Sequence, residues 1–150
     1  ILAGDFGRNS ETAILIDKFV AEYHQQLTLT GDILDFFLSN SQILLDRDNT
    51  LLVPNFTQMQ KLAAPHGIAL ISKLDLIQLV ERLHDFSLIT SASILLTAKG
   101  QSIVAKSGQI STTVNNNAAD DASLAASAAV WWVQNPIKSF AALTQSLYSS

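Results

Sequence analysis

The sequence predicts a three-layer α/β/α domain with a mostly parallel sheet and an antiparallel hairpin at one edge. Residues 43–45 and 51–53 are short apolar runs without polar alternation, which is typical of strands covered on both faces of a parallel sheet. Segments with helical spacing of apolar residues alternate with such runs along the chain. Residues 101–106 and 109–114 alternate instead, and Gly108 between them supplies a turn, so they form the predicted hairpin.

The other elements follow from the same patterns in chain order. We expect strands at 1–3, 27–30, 43–45, 51–53, 94–96, 101–106 and 109–114, and helices at 11–26, 33–38, 56–63, 73–84 and 123–133. Asn55 is a good N-cap for the helix at 56–63, and Ser72 with Asp75 resembles a capping box. Pro136 is expected in the first turn of one more helix, where its missing N–H is tolerated.

Composition bounds the class of protein. The 150 residues predict a single α/β domain, and 48% apolar with 15% charged residues indicates a core-rich globular chain. So few charges also suggest that part of the surface is covered by a partner, a second domain or another subunit. The net charge is −4 and the nine Lys and Arg residues are scattered, which argues against nucleic-acid binding.

Several other classes have no support in the sequence. The chain has no cysteine, which excludes disulfides and thiolate chemistry and fits a cytoplasmic setting. The longest nearly apolar run, residues 124–133, is half of the ~20 residues that a membrane span needs. The three histidines lack ligand spacing, so no metal site is predicted. Residues 1–3 resemble the later part of a strand, and we expect either that the chain is the C-terminal portion of a longer protein or that residues before Ile1 were removed.

The stretch from Thr97 to Val130 is the strongest candidate for a functional site. A hairpin there leads through Asp120 and Asp121 into the N-terminus of an Ala-rich helix. Many α/β proteins hold a phosphate and a catalytic carboxylate at such a corner. The same two aspartates are also favourable residues for any helix N-terminus, and this structural interpretation stays open.

The order of strands and turns along residues 1–9, 29–34, 53–58, 95–105 and 118–125 resembles the later part of the ribokinase-like fold, in particular the carbohydrate-kinase-like NAD(P)H-hydrate dehydratases. The family's Gly-rich corner is similar to residues 1–9, and its short strand into an acidic corner is similar to residues 29–34. Its Pro-containing corner matches residues 53–58 in Pro54 only. Its strand ending in Lys-Gly is similar to residues 95–105, and the segment 118–125 stands where the family has Gly-Thr-Gly-Asp before an Ala-rich helix.

The resemblance implies ATP or ADP with Mg²⁺ as cofactor, and phosphorylation followed by phosphate elimination to return NAD(P)H. In the family, the N–H groups of the Gly-Thr-Gly-Asp turn stabilise the transferring phosphate and its Asp acts as base. The matching positions are Asp121 as the base, Lys99, Gly100, Ala118, Ala119 and Asp120 on the nucleotide side, and Gly4, Asp5 and Asn55 on the substrate side.

The sequence departs from the family pattern at the points where the chemistry would occur. Ala118 and Asp120 replace the two turn glycines, and Asp120 adds a negative charge where a phosphate would lie. Asn55 and Gln58 replace the family's His and Glu and cannot exchange protons near neutral pH. We therefore expect a degenerate domain with a nucleotide-binding or assembly role. The alternative is an active, divergent dehydratase or small-molecule kinase that uses Asp121 as its base. As partners we expect further copies of the chain in a homo-oligomer, or a missing N-terminal portion of the same protein.

Overall fold

The computed structural model describes residues 1–3, 10–114 and 120–148. The helices are α1 (Ser10–Glu22), α2 (Ile33–Phe37), α3 (Gln42–Leu45), α4 (Phe56–Ala63), α5 (Leu76–Ile89), α6 (Asp121–Gln134) and α7 (Ser139–Tyr148), with a 3-10 turn at Ala64–His66. The strands are β1 (Leu27–Thr30), β2 (Thr50–Val53), β3 (Ser93–Ala98), β4 (Gln101–Lys106) and β5 (Gln109–Val114). In this part of the chain no helix is long and apolar enough to cross a membrane.

Within the described residues, the five strands form one mixed sheet in the order β1-β2-β3-β4-β5. The strands β1, β2 and β3 are parallel, whereas β4 and β5 pair in antiparallel fashion at one edge. All four residues of both β1 and β2 are buried, as expected for parallel strands with helices on both faces. The predicted α/β class is therefore confirmed, with the antiparallel hairpin at the edge where the sequence predicts it.

Two tight turns join the antiparallel strands. Lys99 (φ 55°) and Gly100 (φ 71°) connect β3 to β4, and Ser107 (φ 48°) and Gly108 (φ 81°) connect β4 to β5. Positive φ at both central residues is the geometry of a type I′ turn, whose twist matches that of the flanking strands. The glycine in each pair adopts this conformation without the steric cost of a Cβ atom.

The sheet separates two helical layers, because successive residues of a strand point to opposite faces. Leu52 of β2 faces α1 to α5 and belongs to one apolar core. Its neighbours Leu51 and Val53 belong to a second core with α6 and α7. This arrangement is the predicted three-layer α/β/α architecture.

Several elements differ from the sequence prediction. Residues 1–3 form only an isolated bridge between Leu2 and Leu29 and not a strand. Helix α1 ends at Glu22 and not at residue 26, and helix α5 extends to Ile89 and does not end at residue 84.

Residues 43–45 lie in the short helix α3 and not in a strand, because a brief apolar run does not distinguish a buried helix from a strand. Helix α5 is capped by Asp75 and begins at Leu76, so the expected cap at Ser72 is wrong. Helix α7 begins at Ser139, and Pro136 lies in the connection before it.

Candidate functional site

The candidate site lies at the edge of the sheet where the parallel strands end. Gly31 follows β1, Asn55 comes shortly after β2, and Lys99 follows β3. Carboxyl ends of parallel strands share one edge of a sheet, and this edge is where ligands bind in open α/β folds. The ends of β1 and β2 are joined by a hydrogen bond of 2.9 Å that the Thr30 hydroxyl donates to the Val53 carbonyl oxygen.

The corner after β2 is organised as a helix cap. The Asn55 side-chain oxygen accepts a 2.8 Å hydrogen bond from the Gln58 N–H, and the Gln58 side-chain oxygen accepts one of 3.1 Å from the Asn55 N–H. These reciprocal bonds form a capping box that begins α4. Gln58 Nε2 also donates to the Gly31 carbonyl oxygen at 3.0 Å and to Asp35 Oδ1 at 3.2 Å. Both amide side chains at this corner therefore have structural partners.

The turn after β3 places its lysine against the main chain. Lys99 Nζ donates a 2.7 Å hydrogen bond to the carbonyl oxygen of Ser72, which lies in the segment before α5. Lys99 itself is exposed, and Gly100 next to it has open space around its α-carbon. The ammonium group thus links the β3–β4 turn to a loop, and a ligand would have to compete with this carbonyl.

Asp120 is the N-cap of α6. Its Oδ1 accepts a 2.8 Å hydrogen bond from the Ser123 N–H, one of the donors that a helix N-terminus leaves without an intrahelical partner. Hydrogen bonding from Ser123, first from its backbone and then from its side chain, lowers the pKa of the Asp120 carboxyl. The residue is exposed, so its carboxylate caps the helix while in contact with water.

Asp121 is the first residue of α6 and has a different environment. It is half-buried, and this burial raises the pKa of its carboxyl, with a further increase from the negative charge of Asp120. The adjacent carboxyl groups therefore have pKa values shifted in opposite directions. A carboxyl with a raised pKa is a candidate proton acceptor, and this is the property that a base at Asp121 requires.

The residues expected to form the site are only partly described by the structure. Asn55, Lys99, Gly100, Asp120 and Asp121 are placed as given above. Gly4, Asp5, Ala118 and Ala119 lie outside the described residues. Across 1–3, 10–114 and 120–148, no group of three or more His, Asp or Glu side chains could hold a metal ion.

Gln58 and Ser72 supply hydrogen bonds at the site that are not among those predicted from the sequence. The spacing from Asn55 to Gln58 is that of a capping box, so the role of Gln58 could have been read from the sequence. The Ser72 carbonyl has no such signal, because any residue supplies a carbonyl oxygen.

No protein-family model and no curated protein matches the sequence. Solved structures do match. One is a ribokinase-like superfamily protein from Enterococcus faecalis V583, with a TM-score of 0.67 and 16% identity over 96% of this chain and 51% of that chain. Another is a hypothetical protein from Streptococcus mutans, with a TM-score of 0.68 and 11% identity over 94% of this chain and 51% of that chain.

These comparisons show that the chain has a ribokinase-like fold. The chain spans about half the length of each of the two solved structures. At 11% and 16% identity the similarity concerns the fold alone, because one fold carries many activities and activity depends on individual side chains.

Proposed function

We propose that this chain is a degenerate ribokinase-like domain that resembles NAD(P)H-hydrate dehydratase but neither binds nor turns over ATP or ADP, which leaves an assembly role. The observation that carries the proposal is the hydrogen bond from the Ser123 N–H to the Asp120 carboxylate. A phosphate at the N-terminus of α6 would need such N–H groups for itself. The carboxylate takes up one of them and adds negative charge at the same place. The described part of this corner therefore does not fit a phosphate.

The corner after β2 supports the same proposal. Asn55 and Gln58 stand where the family that the chain resembles has His and Glu. Amide side chains neither donate nor accept protons as acids or bases near neutral pH. Their hydrogen bonds to each other and to Gly31 account for them structurally. The lack of cysteine in the sequence fits a cytoplasmic setting for such a domain.

The test is a thermal-unfolding titration of the 150-residue chain with ATP and ADP, each with and without Mg²⁺. A ligand that binds only the folded state raises the melting temperature in a saturable manner. We expect no saturable increase at millimolar nucleotide for the wild type. Asp120→Asn keeps a side-chain oxygen for the Ser123 N–H while removing the charge, so a shift in this variant alone would identify the charge as the obstacle. A saturable shift in the wild type would contradict the proposed lack of nucleotide binding.

A second candidate function has one specific observation in its favour. Asp121 is half-buried with a raised pKa, as an active divergent NAD(P)H-hydrate dehydratase or small-molecule kinase would require of its base. The assay is conversion of hydrated NADH to NADH in the presence of ATP or ADP. Turnover that Asp121→Asn abolishes, with nucleotide binding retained, would establish this activity and overturn the first proposal. Absence of turnover in both proteins is the result we expect.

A further inference from the structure

We propose that the outer strand β5 is an interface at which two copies of this chain join their sheets, with β5 of one copy antiparallel to β5 of the other. Strand β5 (Gln109–Val114) is the last strand on its side of the sheet, and no strand among the described residues pairs with its outer edge. The inference rests on the proposed function, because it gives the assembly role a surface and a partner. Its tests use no nucleotide, so failure of one proposal is distinguishable from failure of the other.

The edge of β5 lacks the features that usually keep a strand from pairing with other molecules. Edge strands are commonly protected by Lys, Pro or a β-bulge. The sequence of β5, Gln-Ile-Ser-Thr-Thr-Val, has no charged residue and no proline. Its six residues pair with β4 in unbroken register from Lys106↔Gln109 to Gln101↔Val114, so no bulge interrupts the strand. An unprotected edge of this length can accept another strand.

The register of the hairpin determines which main-chain groups of β5 point outward. The two-residue turn closes on the pair Lys106↔Gln109. In an antiparallel ladder every second residue bonds to the neighbouring strand, so alternate residues of β5 from Gln109 onward bond to β4. The N–H and C=O groups of the other three residues, Ile110, Thr112 and Val114, point away from β4, and no described residue bonds to them.

These three residues match their own copies when β5 pairs with itself about Thr112. In that register Thr112 lies opposite Thr112 of the second copy, and Ile110 lies opposite Val114. All three outward residues then have a bonded partner, and each bonded pair exchanges two hydrogen bonds. Ile110 is half-buried and Val114 is 58% exposed on the same face of the sheet, so apolar side chains meet across the contact.

The opposite face of β5 carries hydroxyl groups. Ser111 Oγ shares a hydrogen bond of 2.8 Å with Thr144 Oγ1 of α7. Thr113 Oγ1 is buried and has no hydrogen-bond partner among the described residues. In the register about Thr112, Ser111 of the second copy lies opposite Thr113 and brings a hydroxyl group next to it. The same register is therefore complementary on both faces of the strand.

Charge and size also favour a second copy. Each chain carries a net charge of −4, so two copies repel each other least at a surface without charged groups, and β5 is such a surface. Two strands alone bury less than the roughly 1,600 Å² of a standard interface. Helices α5 and α7 both pack on β5, and their exposed Leu88 (60%) and Tyr148 (66%) supply further apolar area on the two faces of the sheet.

The first experiment measures the mass of the chain in solution by analytical ultracentrifugation. We expect the wild type to sediment with twice the 16.2 kDa of one chain. Thr112→Lys places two positive charges opposite each other at the centre of the contact, and Thr112→Glu places two negative charges there, so each variant should be a monomer. An equimolar mixture of the two variants should form the dimer again, because opposite charges then face each other.

Thr57→Lys is the matched control for this experiment. Thr57 is exposed in α4, so a lysine there should leave the dimer intact. Thr112 is exposed as well, and its variants should keep the circular dichroism spectrum of the wild type. A wild-type monomer would overturn the proposal and leave this edge to a different partner. A dimer that persists in Thr112→Lys would place the interface on another surface and would also overturn it.

The second experiment tests the register by cross-linking. The chain has no cysteine, so Thr112→Cys introduces a single thiol that can form a disulfide only between two copies. Opposite residues of a bonded antiparallel pair have Cα atoms about 5.5 Å apart, a distance that a disulfide spans. We expect brief oxidation to convert most of this variant to a covalent dimer on a denaturing gel, whereas Thr57→Cys should stay monomeric there. Equal cross-linking of the two variants would contradict pairing about Thr112.

Discussion

Gln58 Nε2 donates a hydrogen bond of 3.0 Å to the carbonyl oxygen of Gly31, and this bond connects the corner after β2 with the corner after β1. The same side chain closes the capping box with Asn55 at the start of α4. Two corners that face the candidate site are thus held together by a side chain that also begins a helix. The amide groups of Asn55 and Gln58, which would otherwise be available to a ligand, are thus engaged in hydrogen bonds that hold this edge of the sheet together.

The cap at Asn55 is expected to contribute measurable stability. Asn55→Ala removes the oxygen that accepts the Gln58 N–H, and loss of such a cap costs about 1 kcal/mol in the free energy of unfolding. Urea denaturation followed by circular dichroism measures the change. Thr57→Ala is the control, because Thr57 is exposed in the same helical turn and its loss should change stability by less than about 0.5 kcal/mol. Equal effects of the two substitutions would contradict the capping role.

The two hairpin glycines should differ in their tolerance of alanine. Gly100 has no atom within 4 Å of an added Cβ, so Gly100→Ala should cost only about 1 kcal/mol for its positive φ. At Gly108 the added Cβ would also lie 2.8 Å from Leu88 Cδ2, so Gly108→Ala should cost more. In a Leu88→Ala background, Gly108→Ala should lose this excess cost in the free energy of unfolding. A double-mutant cycle measured by urea denaturation tests this. An unchanged excess in the Leu88→Ala background would exclude the contact as its cause.

The charge of Asp120 should affect the pKa of the neighbouring Asp121 carboxyl group. Asp120→Asn keeps the hydrogen-bond acceptor for Ser123 but removes the charge that contributes to the raised pKa of Asp121. We expect the pKa of Asp121 to decrease in this variant yet to stay above its ordinary value, because burial is the larger cause. Carboxyl carbon NMR shifts followed through a pH titration measure it. A pKa for Asp121 that does not respond would show that the charges do not interact.

The stability of the protein should depend on the ionisation of Asp121. Because its pKa is raised in the folded state, the folded protein holds the proton more tightly than the unfolded chain does. Stability from this group is therefore lost as the pH rises from the ordinary value near 3.8 through the raised pKa. Asp121→Asn cannot ionise, so its melting temperature relative to wild type should increase over this range. A difference in melting temperature between the two proteins that stays constant from acid to neutral pH would show that the pKa of Asp121 is not raised in the folded state.

Elements with local signals could be predicted from the sequence, and elements defined by distant contacts could not. The helix Phe56–Ala63 has its cap at Asn55 and an apolar face, and its predicted bounds agree with the structure. Residues 43–45 lack any cap signal and are too short for periodicity to decide, and they fold as a helix. At α5 the sequence offers two overlapping capping boxes, and the one with Gln at the third position forms.

The order of the strands and of the corners that follow them could be predicted from the sequence, but the hydrogen bonds of the side chains at those corners could not. Because β2 and β3 are parallel, Asn55 and Lys99, which follow them, lie toward the same edge of the sheet. The hydrogen bond from Lys99 Nζ to the Ser72 carbonyl depends on how a loop before α5 lies against a turn after β3. A side chain that meets a main-chain carbonyl of a distant loop leaves no pattern in the residues themselves.

The two tight turns of the antiparallel edge also determine the order in which the sheet can assemble. They bring β3, β4 and β5 together by closing very short loops, whereas the connection from β1 to β2 contains α2 and α3, and that from β2 to β3 contains α4 and α5. Loop closure costs more entropy as the loop lengthens, so the antiparallel strands should form first on refolding. Pulsed hydrogen exchange would then protect Ile103 before Leu29. The strands β1 and β2, which lead into the corners at Gly31 and Asn55, would be the last part of the sheet to acquire their structure.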